Sequence, residues 1–289
     1  MAKCYACPRE CGVDRDEKRG YCGAGNEILI AKTMVHRFEE PPISGTRGSG
    51  AIFFGGCNLG CVYCQNAEFS VRAAGKPTTA AELEKIIFDL EENGVHNIDL
   101  ITAAHFVPYL APVLEKIKPK LSIPIVYNSG GYEKPETLRL LDGLIDVYLP
   151  DYKYRSSELA KKFSFAPDYP EVAEAALEEM SGQQPEFVTD DSGIAKRGVI
   201  VRHLVLPAHR DDSIAVMRLL ASRFPTVKLS LMRQYTPEFN RSKYRELNRR
   251  VTSFEYKSVV DEAVRLGLDG FTQDASSATA AFTPDFSEN

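Results

Sequence analysis

Long apolar runs and blocks of positive charge are both missing from this chain of 289 residues. No stretch reaches the ~18 apolar residues of a membrane-spanning helix, so no membrane partner is expected. The formal net charge is −5, and without a Lys/Arg block this argues against a nucleic-acid partner. The opening residues, Met1-Ala2-Lys3-Cys4, do not resemble a signal peptide. We therefore expect a cytoplasmic protein.

Three of the seven cysteines fall within eight residues, with the spacing C-x3-C-x2-C, at Cys57, Cys61 and Cys64. Four thiolates would close a cubane iron–sulfur cluster, whereas three leave one iron open to another ligand. An open coordination position distinguishes catalytic metal sites from structural ones. A zinc knuckle or a disulfide framework is the alternative, but none of the five histidines lies within the loop. The spacing therefore predicts a three-cysteine iron–sulfur site.

The other four cysteines, Cys4, Cys7, Cys11 and Cys22, form a second group with the spacing C-x2-C-x3-C-x10-C. The segment around them has too few apolar residues for a core of its own, so it needs a cross-link such as a bound metal or disulfides. Four sulfurs can hold a structural zinc or a second, fully ligated [4Fe–4S] cluster that relays electrons. Free thiols or disulfides are the alternative, although a reducing cytosol disfavours disulfides. Ligand count does not separate zinc from iron.

Buried strand runs alternate with amphipathic helices along the rest of the chain. The run Ala51–Phe54 leads straight into the cysteine loop, and Thr79 with Glu82 forms a capping box that begins a helix. Asp211 or Asp212 is expected to cap a later helix. Alternating units of this kind predict a parallel sheet, either open or closed into a barrel. Further strands are expected at 98–101, 123–127, 147–149, 199–206 and 227–231.

With its flanking residues, Gly56-Cys57-Asn58-Leu59 and Cys64-Gln65-Asn66, the loop resembles the signature of radical S-adenosylmethionine (SAM) enzymes. Together with Glu40–Gly45 and Arg202–Pro207, it resembles the pyruvate formate-lyase activating enzyme subgroup of that superfamily. The resemblance runs from Cys4 to about Gln273. It implies an α/β fold, a partial (βα)6 barrel of the radical SAM type, with a small N-terminal cysteine-rich segment. The domains expected are a metal-binding segment at 1–30, the barrel at 31–275 and a C-terminal tail at 276–289.

The resemblance also implies a [4Fe–4S] cluster on the three-cysteine loop, with SAM at the open iron. Active sites gather at the carboxyl ends of barrel strands, so polar residues there are candidates for holding SAM. Where the superfamily often has a Gly-Gly-Glu motif, this chain has Thr102-Ala103-Ala104-His105. The candidate SAM-binding residues are Tyr63, His105, Asn128, Ser129, Asp151, Lys153, Arg202, His203 and Gln234.

Each of these candidates has a structural alternative. His105 could cap a helix, Asn128 and Ser129 could form a turn, and Asp151 with Lys153 could be an exposed ion pair. Arg202 interrupts an apolar strand, where an unpaired charge is costly. A SAM carboxylate or a structural Asp or Glu would serve as its partner.

Three functions fit these features. The first is reductive cleavage of SAM to a 5′-deoxyadenosyl radical that installs a glycyl radical on a partner enzyme. The second is the same radical chemistry on a small molecule or peptide. The third is a non-catalytic iron–sulfur electron carrier, against which the strand-end polar residues argue. The enzyme would take its electron from a donor such as flavodoxin or ferredoxin.

Overall fold

A computed structural model describes residues 3–71 and 73–277 of the chain. In this part of the chain, ten strands join into one sheet, in the order β10-β9-β8-β6-β5-β4-β2-β1-β3, with β7 paired to β8. The strands are β1 (Ile28–His36), β2 (Ser49–Phe54), β3 (Lys76–Thr78), β4 (Ile98–Ile101), β5 (Ile125–Ser129), β6 (Val147–Pro150), β7 (Val188–Thr189), β8 (Ala195–Leu204), β9 (Lys228–Met232) and β10 (Gly270–Thr272).

Helices connect most of the strands. The α-helices of the described residues are α1 (Pro41–Ser44), α2 (Ala67–Ser70), α3 (Ala80–Glu92), α4 (Val107–Ile117), α5 (Pro135–Leu138), α6 (Ser157–Ser164), α7 (Tyr169–Gln183), α8 (Arg210–Arg223) and α9 (Ser253–Arg265). Within that described part, no helix has the length and apolar character needed to cross a membrane.

Six strands, β2, β4, β5, β6, β8 and β9, run parallel in the order in which the chain makes them. Parallel neighbours joined by helical crossovers are the repeating unit of a (βα) barrel. The sheet is extended by antiparallel β1 and β3 on one side and by parallel β10 on the other. The predicted α/β partial barrel is therefore confirmed.

The strand register brings the carboxyl ends of these strands to one edge of the barrel. Phe53 of β2 is paired with Ile101, Ile101 with Asn128, and Asn128 with Leu149. Just beyond β6, Asp151 forms an isolated parallel bridge with Arg202 of β8. The residues that follow these positions, including the cysteine loop after β2, therefore face the same end of the barrel.

One of the two helix caps predicted from the sequence is correct. The capping box of α3 is present, since Thr79 accepts from the Glu82 amide and the Glu82 side chain accepts from Thr79. The prediction for α8 was wrong, because the N-cap of α8 is His209 and no side chain caps it. Asp212 lies in the first turn, and its carboxylate instead accepts from the amide of Ser156 at 2.7 Å. That partner is distant in sequence and gives no local signal.

Between residues 3 and 27 the chain forms turns and bends without a regular helix or strand. Single backbone hydrogen bonds hold it, such as the one from the amide of Cys4 to the carbonyl oxygen of Val13 at 2.9 Å. At the other end, the predicted tail lies outside the described residues beyond Ser277.

Candidate active site

The cysteine loop leaves the end of β2 and turns back against the N-terminal segment. Gly56 has a φ of +89°, and a Cβ here would lie 2.4 Å from the carbonyl oxygen of Cys22, so only glycine fits. The amide of Cys57 then donates to the same carbonyl oxygen at 3.3 Å. Further on, the amide of Cys64 donates to the carbonyl oxygen of Cys61 at 3.2 Å. The backbone thus gathers the three cysteines into one tight loop.

These three cysteines line a cavity of about 190 Å³ at the carboxyl end of the barrel strands. Apart from the two histidines, every barrel residue that the sequence predicted for the site lines the same cavity, among them Asn128, Ser129, Lys153 and Gln234. The strand register explains this convergence, because each residue ends or follows a neighbouring strand.

Three charged side chains form a linked group on one wall of this cavity. The Nζ of Lys153 lies 2.5 Å from one carboxylate oxygen of Asp151, and the Nε of Arg202 lies 2.9 Å from the other. Arg202 also donates to Glu39 at 3.3 Å and to the amide oxygen of Asn128 at 2.5 Å. The acid partner expected for Arg202 is therefore supplied by the chain itself.

Contact among these three side chains keeps each of them in its charged form. Burial would raise the pKa of Asp151, but the Arg202 guanidinium and the Lys153 ammonium outweigh it and hold that pKa below its usual value. Burial likewise opposes the charged form of Lys153, yet the Asp151 carboxylate raises the pKa of the ammonium. The wall therefore carries one anion between two cations.

Two buried acids beside Arg202 were missed in the sequence. Burial raises the pKa of Glu40 to about 7 despite the nearby Arg202, and it raises the pKa of Asp99 well above its usual value. The Oδ2 of Asp99 accepts from Asn128 at 3.2 Å, while its Oδ1 has no partner in the described part of the chain. Asp99 interrupts the apolar strand β4, and that interruption was a readable signal.

Thr102 follows β4 and lines the cavity with an unusual backbone conformation. Its φ is +64°, in the left-handed region that β-branched residues rarely adopt. Its amide donates to the carbonyl oxygen of Asn128 at 2.9 Å, which fixes the turn. Such strain costs on the order of 1–3 kcal/mol and concentrates at functional sites.

Two thiols of the loop, Cys57 and Cys61, have raised pKa values. Burial, with the charges of Cys61 and Cys64, raises the pKa of Cys57 to about 12. Burial also raises the pKa of Cys61, although the Lys153 ammonium acts to lower it. Thiolates at Cys57 and Cys61 are therefore unfavourable here without a bound cation, and a coordinated metal deprotonates a thiol outright.

A chain of hydroxyl groups ends at one of these sulfurs. Tyr63 and Tyr154 share a hydrogen bond of 2.5 Å between their hydroxyls, and Tyr154 is in turn 2.8 Å from the Oγ of Ser164. That Oγ lies 2.9 Å from the Sγ of Cys61. Tyr63 therefore lines the cavity and also anchors a buried polar network around the loop.

The four N-terminal cysteines also lie close together. A Cβ at Gly20 would lie 3.4 Å from the Sγ of Cys11 and 3.5 Å from that of Cys22. Burial raises the pKa of Cys7 to about 11, and the charges of Cys22, Cys4 and Cys11 act in the same direction. The structure therefore brings this second group together.

His105 and His203 are the two predicted residues that do not line the cavity. The Nε2 of His105 donates to the carbonyl oxygen of Gly55 at 2.9 Å and so supports the start of the cysteine loop. The Nδ1 of His203 donates to Tyr152, and its Nε2 accepts from Ser213 at 2.8 Å. Burial lowers the pKa of each to about 4. Both neutral rings are held by hydrogen bonds within the protein, and contact of either ring with SAM stays a prediction.

Comparison with known proteins agrees with this geometry. Residues 51–192, which run from β2 through the cysteine loop, match the model of the Radical SAM superfamily. The match confirms the predicted radical SAM superfamily over these residues. An uncharacterised protein of Methanocaldococcus jannaschii is 29% identical over 280 residues, which cover 92% of this chain and 75% of the relative. Membership implies a [4Fe–4S] cluster and reductive cleavage of SAM.

Solved radical SAM structures share the fold. A radical SAM methyltransferase from Sphaerobacter thermophilus aligns with a TM-score of 0.53 and 13% identity, over 81% of this chain and 70% of that one. SuiB from Streptococcus suis, bound to S-adenosylmethionine, aligns with a TM-score of 0.52 and 14% identity, over 78% of this chain and 50% of that one. At such identities the likeness shows the fold alone. The pyruvate formate-lyase activating subgroup stays a prediction.

The residues present fit the cofactors that a radical SAM protein uses. Within residues 3–71 and 73–277, no three Cys, His, Asp or Glu side chains are placed to hold a metal ion as they stand. In a cubane, however, each thiolate binds its own iron, so the ligands need not converge on one point. Cys57, Cys61 and Cys64 would hold the cluster, and the polar wall of the same cavity provides donors and acceptors for SAM.

Proposed function

We propose that this chain generates a 5′-deoxyadenosyl radical in the cavity described above and uses it to form a glycyl radical on a partner enzyme. The observation that carries the proposal is the single cavity shared by the three-cysteine loop and the charged wall of Asp151, Lys153 and Arg202. When bound, the cluster supplies the electron that cleaves SAM to methionine and the radical. An electron carrier has no need of the polar wall.

The charged wall offers a complementary pair of groups to the methionine end of SAM. Lys153 and Arg202 would hold a SAM carboxylate, and Asp151 and Glu39 would hold a SAM ammonium. Asn128 and Ser129 add neutral hydrogen-bonding groups between them. These residues hold and orient the methionine end of SAM, and burial of the wall strengthens each contact.

Gln234 lies across the cavity, beyond β9, and would contact the adenosine side of SAM. Its amide oxygen accepts a hydrogen bond from the side-chain amide of Gln273 at 3.0 Å, and this bond fixes the orientation of the Gln234 side chain. Tyr63 and Tyr235 pack edge to face nearby, with ring centroids 6.0 Å apart. This apolar ring pair excludes water from the place where a radical would form.

Two further features favour a protein substrate. The first is the sequence resemblance to glycyl-radical activating enzymes at Glu40–Gly45 and Arg202–Pro207. The second is Phe38, whose side chain is 60% exposed next to the cavity-lining Glu39. Exposed aromatic residues are enriched where proteins meet. The alternative substrate class is a small molecule or a free peptide.

The first test is anaerobic reconstitution followed by SAM and dithionite. We expect 5′-deoxyadenosine in the wild type and none in a Cys61→Ala variant. Absence of 5′-deoxyadenosine from protein with an intact cluster would overturn the proposal and leave the electron carrier.

The glycyl-radical step needs a separate experiment. A peptide with α-deuterated glycine is supplied as the probe, with an otherwise identical peptide containing deuterated alanine as the control. Deuterium in 5′-deoxyadenosine from the glycine peptide alone supports the step. Cleavage of SAM without deuterium transfer from glycine rejects it in favour of another substrate class.

A further inference from the structure

The N-terminal segment is fastened directly to the cysteine loop. The guanidinium of Arg9 donates to the carbonyl oxygens of Asn58 at 2.7 Å and Leu59 at 3.2 Å. It also donates to the carbonyl oxygen of Phe165 at 2.5 Å, and the hydroxyl of Tyr21 donates to Leu59 at 3.0 Å. These contacts hold the N-terminal segment, which has no helix or strand, against the cysteine loop.

The second group of four cysteines lies at this junction. The carbonyl of Cys22 accepts the amide of Cys57, so one hydrogen bond joins a ligand candidate of each group. Arg15 reinforces the junction, because its guanidinium donates to the Sγ of Cys22 at 3.4 Å and to the carbonyl oxygen of His105 at 2.8 Å. A metal site that only stabilised the N-terminal segment would not require this contact with the barrel.

The four cysteines differ in their exposure to solvent. Cys11 is exposed, Cys4 is half-buried, and Cys7 and Cys22 are each only 8% exposed. Cys22 is also the member whose carbonyl oxygen contacts Cys57, and Cys57 lines the cavity. The four-cysteine group therefore has one cysteine at the protein surface and another in contact with the three-cysteine loop.

We propose that Cys4, Cys7, Cys11 and Cys22 hold a second [4Fe–4S] cluster that receives electrons at the protein surface. Four thiolates complete the ligand set of a cubane and leave no iron open, which suits electron transfer rather than bond making. The guanidinium of Arg15, which interacts with Cys22 and Cys4, offsets part of the negative charge of four thiolates.

The electron balance is simple. A low-potential one-electron protein donor of the flavodoxin or ferredoxin class is oxidised, and the cluster on the four cysteines is reduced by that electron. The electron then leaves across the Cys22–Cys57 contact toward the barrel site, and no proton or bond changes hands. This relay rests on the proposed function, whereas the identity of the second metal site does not.

The metal site is tested on anaerobically purified and reconstituted full-length protein by iron, sulfide and zinc analysis with Mössbauer spectroscopy. We expect about eight irons per chain in the wild type and about four in a Cys57→Ala/Cys61→Ala/Cys64→Ala variant. A Cys11→Ala variant should keep the iron of the barrel site. Tyr5→Phe, an exposed change inside the same segment, is the matched control and should match the wild type.

Zinc at about one per chain on the four cysteines, or a triple variant that folds without iron, overturns the proposal. Circular dichroism and gel filtration establish folding of each variant. Because the triple variant lacks the ligands of the SAM-binding cluster, its iron content is independent of SAM chemistry. Failure of the second site and failure of the proposed function are therefore distinguished.

The relay is tested by the rate of cluster reduction in stopped-flow absorbance. Reduced flavodoxin should bleach the barrel cluster of the wild type, and the Cys11→Ala variant should lose this reaction while dithionite still reduces it. In the wild type, the two reduced clusters should also broaden each other's EPR signals, an effect lost in the triple variant. Equal rates with flavodoxin in both proteins, or no reaction with it in either, reject the relay.

Discussion

The Oγ of Ser164 lies 2.9 Å from the Sγ of Cys61, at the inner end of a buried hydroxyl chain. Ser164 is fully buried at the end of α6 and is 103 residues away from Cys61 in sequence. A hydroxyl that donates to a thiolate stabilises the more negative, reduced state of a bound cluster more than the oxidised state.

Replacement of Ser164 by Ala should therefore make the reduction potential of the barrel cluster more negative. A hydrogen bond to a charged group contributes ~1.5–3 kcal/mol, and part of this difference between oxidation states corresponds to a shift on the order of 50 mV. EPR-monitored redox titration measures it. Tyr154→Phe removes only the more distant link and should shift the potential less; an unchanged potential in Ser164→Ala would refute this role.

Arg202 should contribute strongly to stability, because it neutralises Asp151 and Glu39 inside the barrel. Arg202→Met removes the guanidinium from Glu39 and leaves Asp151 with Lys153 alone, and we expect a loss of ~3–5 kcal/mol in the free energy of unfolding. Arg197→Met is the matched control on the same strand, since its pair with Glu186 is exposed and worth ~0–1 kcal/mol. Anaerobic urea unfolding compares the two, and equal losses would contradict the buried-pair interpretation.

Gly56 tests how tightly the cysteine loop is packed against Cys22. Gly56→Ala introduces both a left-handed alanine and a clash with a carbonyl oxygen 2.4 Å away. Gly94→Ala is the control, because Gly94 has a similar φ of +76° with nothing within 4 Å of the added Cβ. We expect ~1–2 kcal/mol of destabilisation for Gly94→Ala and more for Gly56→Ala, with loss of iron only in the latter. Retention of iron by Gly56→Ala at wild-type stability would refute this prediction.

Glu255 gives the fold a dependence on pH. The Arg249 guanidinium, with further hydrogen bonds from Thr252 and the amide of Ala208, holds the pKa of Glu255 well below its usual value. A lowered folded-state pKa contributes stability that is fully present above the unfolded pKa of about 4.3 and is lost as the pH falls further.

Glu255→Gln should thus destabilise the protein by ~1–3 kcal/mol at pH 7, and its difference from the wild type should shrink as the pH falls below about 4. Unfolding of both proteins across that range gives the measurement. Glu238→Gln is the comparison, because Glu238 is exposed in a loose pair with Arg250. A difference that grows toward low pH would have the wrong sign.

The barrel was predictable because its strands are short apolar runs bounded by helices. Val147–Leu149 and Ile98–Ile101 lie in strands as expected, whereas the predicted strand at 123–127 begins at Ile125. Strand β1 was missed, since Lys32 and Thr33 interrupt its apolar pattern and a register shift lies beside them. Its partners come from β2 and β3, and pairing between distant segments leaves no local pattern.

Within the site, several residues predicted from the ends of strands line one cavity in the structure. Asp151, Lys153 and Arg202 were identified in this way, although their ion-pair partners were not. Arg202 and Glu39 are separated by 163 residues, and only the folded barrel brings them together. The sequence does not tell whether a histidine ring nitrogen faces a cavity or a carbonyl group, and the structure places both His105 and His203 against carbonyl groups.

The position of Arg9 has a consequence for how the protein is made. Its guanidinium binds carbonyl groups of Leu59 and Phe165, so Arg9 reaches its full set of partners only after residue 165 has been synthesised. Until then the segment around Arg9 lacks one of the contacts that fasten it to the barrel. A chain that stops before residue 165 should therefore hold this segment more loosely against the cysteine loop than the full chain does.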